Sequence, residues 1–84
     1  MNSYFALLAQ FGTAEIPLSK VASEFFGLDE NEAKRRAARQ RLPIPAHRLN
    51  GQKSPWLVNA ADLAQYIDDE RAKAAEAWQR SKAA

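Results

Sequence analysis

Apolar residues recur at helical spacing in four places along this chain and alternate in one. Tyr4, Leu7, Leu8 and Phe11 fall at i, i+3, i+4 and i+7, which predicts an N-terminal helix over about 3–11. Asn2 or Ser3 caps it and Gly12 stops it. Two uses fit its apolar face: packing in the core, or contact with a second copy. Thr13 to Pro17 is a connector, with Ile16 as a short strand or anchor. Val21, Ala22, Phe25 and Phe26 form the stripe of a second helix, with Ser19 as its N-cap and Gly27 as its end. Leu28 then tucks beneath it. The third helix opens at Asp29, with Glu32 at the capping-box position, and runs over 30–41 until Pro43 forces Leu42 out of helical geometry. At about 100° per residue, Ala33, Ala37, Ala38 and Leu42 share its inner half.

Ile44 to Leu49 alternates around Pro45 and predicts a strand, with Trp56-Leu57-Val58 as its partner. Asn50-Gly51 is the preferred type I′ hairpin pair, in a loop widened by Gln52, Lys53, Ser54 and Pro55. The two prolines predict edge strands. A last helix, capped by Asn59 with Asp62 at the capping-box position, covers about 60–80. Ala60, Leu63, Ala64, Ile67, Ala74 and Trp78 line one stripe of it. Beyond Asp68 the helix is alanine-rich and charged, so it projects, and Trp78 either folds back onto the first helix or meets a second copy.

This order of elements predicts a mainly α chain with a small β-hairpin. It is a winged helix-turn-helix: N-terminal helix, helix-turn-helix, two-stranded wing and long C-terminal helix, in one domain over 1–84. Composition fits that size. The 84 residues, 46% hydrophobic, are enough for one modest core. There is no cysteine and one histidine, so a thiolate metal site is excluded and a zinc site is not expected. No apolar run approaches the roughly 18 residues of a membrane helix, and the first residues are not basic as in a signal peptide. A cytoplasmic, nucleoid-associated protein is the expectation, with no membrane partner.

Charge changes the picture more. The chain has 12 Lys+Arg and 10 Asp+Glu, a net charge of +2. Yet seven of the basic residues and none of the acidic ones lie between Ala33 and Ala61. Segregation of this kind raises a local potential far above what the net charge suggests. The bland reading is a solvated helix face. Against it, the run has no acidic residue after Glu32, so i,i+4 pairing is not expected to neutralise it. It also sits where a recognition helix would sit. Arg35, Arg36 and Arg39 are the expected base-readers through guanine O6 and N7, and Gln40 can read adenine. Lys34 and Arg41 flank the apolar half and are expected to join the DNA-binding surface. Glu32 serves the cap or accepts from cytosine. Arg48, Asn50, Gln52, Lys53 and Ser54 form the wing surface for phosphate or minor groove, and the start of the second helix is a further phosphate candidate. His47 is read as a surface or half-buried side chain, and Trp56 as a core or hairpin-base residue. There is no catalytic constellation and no cofactor site is expected.

IPLSKVASEFFGL and LPIPAHRLNGQKSPWLVNAADLAQYID resemble the pyocin activator family of small bacterial and prophage transcriptional regulators, over about Tyr4 to Arg71. The most specific parts are Leu42 to Pro45, Gln52-Lys53-Ser54, and Asp62-Leu63-Ala64 with Tyr66-Ile67-Asp68. The wider pattern is similar to excisionases and to MerR-superfamily DNA-binding domains. The resemblance implies sequence-specific binding of double-stranded DNA by more than one protomer, with RNA polymerase as a further candidate partner. The expected function is a transcriptional regulator, an activator of prophage or pyocin-like genes. The alternatives are a recombination directionality factor and, from another class, a protein-interaction module whose basic face docks an acidic partner. Oligomerisation would use Tyr4, Leu7, Leu8, Phe11 and Trp78.

Overall fold

The computed structural model describes residues 2–83. Helix α1 spans Ser3–Phe11. Asn2, not Ser3, is its cap: Asn2 Oδ1 accepts from the Tyr4 N–H at 2.8 Å. Ser3 instead donates to Asp68 Oδ1 at 2.6 Å, joining α1 to the last helix. Gly12 closes α1 at φ 73°, where a side chain would be strained. Strand β1 (Glu15–Pro17) follows and leads directly into α2 (Leu18–Val21), which continues as a π-helical turn over Ala22–Phe26.

The second helix differs from the expected one in two ways. Ser19 caps nothing; the helix starts at Leu18, whose N–H donates to the Trp56 carbonyl at 2.8 Å. A backbone partner from the hairpin thus does what a side-chain cap would do. The C-terminal half is also wound wider. The Ala22 carbonyl accepts from the Gly27 and Leu28 N–H groups, beyond the usual i+4 partner. Phe25 and Phe26 are half-buried as a result, with Phe25 against Phe11 (ring centroids 6.4 Å apart) and Phe26 edge-on to Tyr66 (5.5 Å).

Helix α3 covers Glu30–Ala38, three residues short of the expected end. The Gln40 N–H donates to the Ala37 carbonyl and the Arg41 N–H to the Arg36 carbonyl, the paired closing bonds of a Schellman motif. The residue in left-handed geometry is Gln40, at φ 57°, where glycine is usual, and so the sequence carries no stop signal there. Arg39 is the cap and Arg41 lies outside the helix.

Strands β2 (Ala46–His47) and β3 (Leu57–Asn59) pair antiparallel, with Ala46 opposite Val58 and His47 opposite Leu57. The expected two-stranded hairpin has a third member. β1 pairs antiparallel with the other edge of β3, Ile16 opposite Val58, giving the order β1-β3-β2. β3 is therefore central, and Pro55 precedes it instead of marking an edge. Helix α4 (Ala60–Ala83) begins at once: Asn59 Oδ1 caps the Ala61 N–H at 2.8 Å, and Asn59 Nδ2 donates to Glu15 Oε1.

The core lies where α1, the α2 turn, α3 and the start of α4 meet the sheet. Ile16, Val21, Ala33, Val58, Ala60 and Leu63 are all fully buried. Leu18, absent from the apolar stripe read in the sequence, is buried with them because its N–H bond to Trp56 turns its side chain inward. Each of these larger side chains contributes about 1.5–3 kcal/mol of transfer free energy. Ala38 does not join Ala33 and Ala37; it is exposed. Beyond Ile67 every described side chain of α4 is exposed, so about two-thirds of this roughly 36 Å helix runs past the buried core.

Candidate nucleic-acid interface

The outward face of α3 carries its basic residues because Ala33 and Ala37 claim the inward face. Both alanines are buried, and their small side chains let α3 lie close against α2. Lys34, Arg35 and Arg36 consequently point to solvent, but not as free cations. Contrary to expectation from the sequence, all three are paired, with carboxylates that precede them. Lys34 Nζ lies 3.2 Å from Glu30 Oε1. Glu32 Oε2 accepts from Arg35 Nε at 3.1 Å and Nη2 at 2.6 Å, while Glu32 Oε1 accepts from Arg36 Nε at 3.0 Å. The acids needed for i,i+3 and i,i+4 pairing stand before the basic run, not within it.

This pairing also undoes half of the expected capping box. Asp29 Oδ1 does accept from the Glu32 N–H at 2.7 Å. The Glu32 side chain, however, turns forward to two guanidinium groups, which together outcompete one neutral backbone donor. The hydrogen bond from Arg35, then that from Arg36, hold the Glu32 carboxyl below the usual carboxylate range. Glu32 in turn pushes the Arg35 guanidinium further up. The clamp is therefore intact at neutral pH and lost only as pH falls through that lowered value. Arg39 and Arg41, past the last helical residue, have no ion pair among the described residues.

The second basic surface is the loop of residues 48–56 between β2 and β3. Of Asn50 and Gly51, only Gly51 has positive φ, at 83°, so the pair does not form the expected type I′ turn, which needs both. The Ser54 N–H donates to the Gly51 carbonyl at 3.1 Å and closes a local turn instead. Arg48 is held by two partners within the loop. Its guanidinium carbon stacks over the Trp56 ring, 4.3 Å from the centroid, and Nη1 donates to the Gln52 carbonyl at 3.2 Å. Arg48 thus braces the loop from within, with cation–π and hydrogen-bond support. Lys53 is exposed and has no ion pair among the described residues; Asn50 and Gln52 are exposed as well.

The two surfaces meet. A concave groove of about 390 Å³ runs between α3 and the loop. Glu30 and Lys34 form one wall, and Arg48, Gln52, Lys53 and Ser54 form the other; Leu18, Ser19, Pro55 and Trp56 complete it. Ser19 and Trp56 were not expected on a basic surface. Their place follows from the Leu18–Trp56 backbone bond, a long-range pairing with no local signal. Gln40 is elsewhere, in a depression of about 250 Å³ beside Leu42, Pro43 and Pro45. The start of α2 offers no phosphate site: the helical piece is four residues long, and its first N–H is already bonded to Trp56.

His47 lies on β2 beyond the groove. Its Nε2 is 2.9 Å from Glu15 Oε2, an oxygen shielded from solvent that makes no hydrogen bond. At the other end of the molecule, Leu7 is buried in the protomer's own core, which closes it to a partner. Tyr4, Leu8 and Phe11 pack partly against that core. Trp78 does not fold back onto α1; it is 57% exposed, with Lys82 Nζ 4.6 Å above its ring. No group of three His, Cys, Asp or Glu able to hold a metal occurs among the described residues. None of the described helices is long and apolar enough to cross a membrane.

A family model described as pyocin activator protein PrtN matches residues 3–74. That range takes in all the elements that build the groove and stops within the projecting part of α4. No curated protein and no solved structure matches the chain.

Proposed function

Because this chain belongs to the pyocin activator family, we propose that it is a sequence-specific duplex-DNA-binding regulator of pyocin-type genes, acting as an activator. In this reading the fold works as a winged helix-turn-helix. Helix α3 enters the major groove and the loop of residues 48–56 rests on backbone or minor groove. The observation that supports it is the shared groove: Lys34, Arg48 and Lys53 come together on one concavity whose one acidic lining residue is Glu30, the partner of Lys34. A ridge of phosphates fits such a concavity, and each neutralised phosphate adds salt-dependent affinity. Arg39 and Arg41, without an ion pair among the described residues, supply further charge at the end of α3.

The test is selection of bound sequences from random duplex DNA, followed by titration of the enriched duplex. Arg39→Ala and Lys53→Ala should each reduce the slope of log K against log salt by about 1. Lys53→Ala should weaken all sequences alike, as a phosphate contact does. If the chain shows no duplex binding at low salt, the DNA reading falls and the basic face is left to an acidic protein.

The same reading includes a second copy on the DNA. Its support is the projecting part of α4, where Trp78 is 57% exposed on an alanine-rich helix with nothing of its own protomer to cover. Sedimentation should give a mass that rises with concentration, and Trp78→Ala should abolish that rise. A monomer at high micromolar concentration would exclude it.

A further inference from the structure

Glu32 occupies a place that neither capping nor base reading explains. Both of its carboxylate oxygens are taken by arginines of its own helix, Oε2 by Arg35 and Oε1 by Arg36. These are two of the side chains with the best angular position for reading bases. An unpaired arginine there would serve any phosphate, and so would promote binding to every sequence equally. To present the Nε edge of its guanidinium to a base, each arginine must first give up the bond it donates to Glu32.

We propose that Glu32 is a specificity-determining residue: an intramolecular acceptor that withholds Arg35 and Arg36 from DNA unless the sequence offers a better one. The inference rests on the DNA-binding reading above. Its physical basis is a difference in acceptors. A guanine presents O6 and N7 at a fixed position to a guanidinium fork. Arg35 now donates both Nε (3.1 Å) and Nη2 (2.6 Å) to one oxygen, Glu32 Oε2, whereas guanine offers the same fork two separate acceptors. On a non-matching sequence the released fork finds no such partner in the groove. Glu32, freed from both arginines, would also lie uncompensated beside a polyanion. Release is therefore opposed on all DNA and offset only on the matching site. Glu32 lowers affinity everywhere and lowers it most where the sequence is wrong, which is how repulsive elements create specificity.

Glu30 provides the internal comparison. It pairs with Lys34 alone, at 3.2 Å, and lysine is a point charge without a fork to match. Neutralising Glu30 should change overall attraction to DNA but not discrimination.

The experiment measures fluorescence anisotropy of wild type, Glu32→Gln, Glu32→Asp and Glu30→Gln on two labelled probes, a mixed-sequence duplex and the duplex enriched by selection. Circular dichroism melts of each variant check that the chain folds. Glu32→Gln should tighten binding to the mixed-sequence duplex about tenfold and steepen its salt slope by about 1 to 2, as Arg35 and Arg36 become available to phosphate. Binding to the enriched duplex should tighten by less than about threefold, so the ratio between the probes falls. Glu32→Asp keeps the charge but is one methylene too short to span both arginines, and should fall between. Glu30→Gln should move both probes equally. Repeating the selection with Glu32→Gln should return the same preferred sequence, with weaker enrichment.

The inference is overturned if Glu32→Gln shifts both probes by the same factor. It is also overturned if that variant loses affinity for the enriched duplex and changes the preferred base at one position, since Glu32 would then be reading cytosine. A wild-type chain that binds neither probe removes the DNA reading and this inference together. A wild type that binds both, with a ratio insensitive to Glu32, removes the role of Glu32 alone.

Discussion

Helices α3 and α4 carry comparable amphipathic patterns but divide them in different directions. Helix α3 is divided around its circumference: Ala33 and Ala37 face the core while Lys34, Arg35 and Arg36 face outward over the same two turns. Helix α4 is divided along its axis. Ala60, Leu63 and Ala64 are buried in its first turns, whereas Ala74 and Trp78, on the same stripe, are exposed. The difference is one of what lies opposite. The α2 turn runs along α3 and uses its inner face throughout, while the small body ends beneath α4 at about Ile67. An apolar stripe states which face a helix would bury; only the partner's extent decides how much of it is buried. The outer face of α3 and the far part of α4 are therefore surfaces that the protomer itself does not cover.

The largest effect that should separate the two parts of α4 comes from truncating each. Leu63→Ala removes a fully buried side chain and should cost about 2–5 kcal/mol of folding stability. Trp78→Ala removes a larger side chain of the same stripe, yet the protomer should lose no more than about 0.5 kcal/mol. Urea unfolding at low protein concentration measures both. A large loss in Trp78→Ala under those conditions would mean that the far part is packed after all.

The two faces of α3 should separate next. Ala37 is 2% exposed at the α2 contact, so Ala37→Leu overfills a closed space and should destabilise by about 1–3 kcal/mol. Ala38, its exposed neighbour, should accept leucine within about 0.5 kcal/mol. Equal melting temperatures for the two variants would contradict the division by face.

Where the sequence was legible, the determinants were local. The span of α1 follows from its stripe and from Gly12. The start of α3 follows from Asp29 and that of α4 from Asn59, each a side chain bonding a backbone N–H two or three residues on. What was not legible depends on distant partners. Ile16 was visible only as a short strand or anchor, because its place as a sheet member is set by Val58, far along the chain. The start of α2 departs from its local pattern for the same reason, its first N–H being held by the Trp56 carbonyl and not by a Ser19 cap. Within the site, the outward direction of Arg35 and Arg36 was readable from helical angle, but their occupancy by Glu32 was not. The capping-box pattern and the clamp ask for the same glutamate, and the charges of two arginines decide between them. The same local logic that placed Arg48 on the wing left out Trp56, whose ring holds its guanidinium inward.

The end of α3 is the finest test of its division by face, because the residue in question is polar and exposed. Gln40 stands at φ 57°, in left-handed geometry that costs a non-glycine residue about 1 kcal/mol. It is held there by the two closing bonds, Gln40 N–H to the Ala37 carbonyl and Arg41 N–H to the Arg36 carbonyl. Glycine makes both bonds without the steric cost, though it loses more backbone freedom on folding. The steric relief should prevail narrowly, so Gln40→Gly should stabilise the chain by up to about 0.5–1 kcal/mol, read as a higher urea midpoint with an unchanged slope. Gln40→Val should do the reverse and by more, since a β-branched side chain is worse still at positive φ. If both variants melt with the wild type, the helix does not end at Ala38, and Arg39 and Arg41 belong to a longer helical face than the one described above.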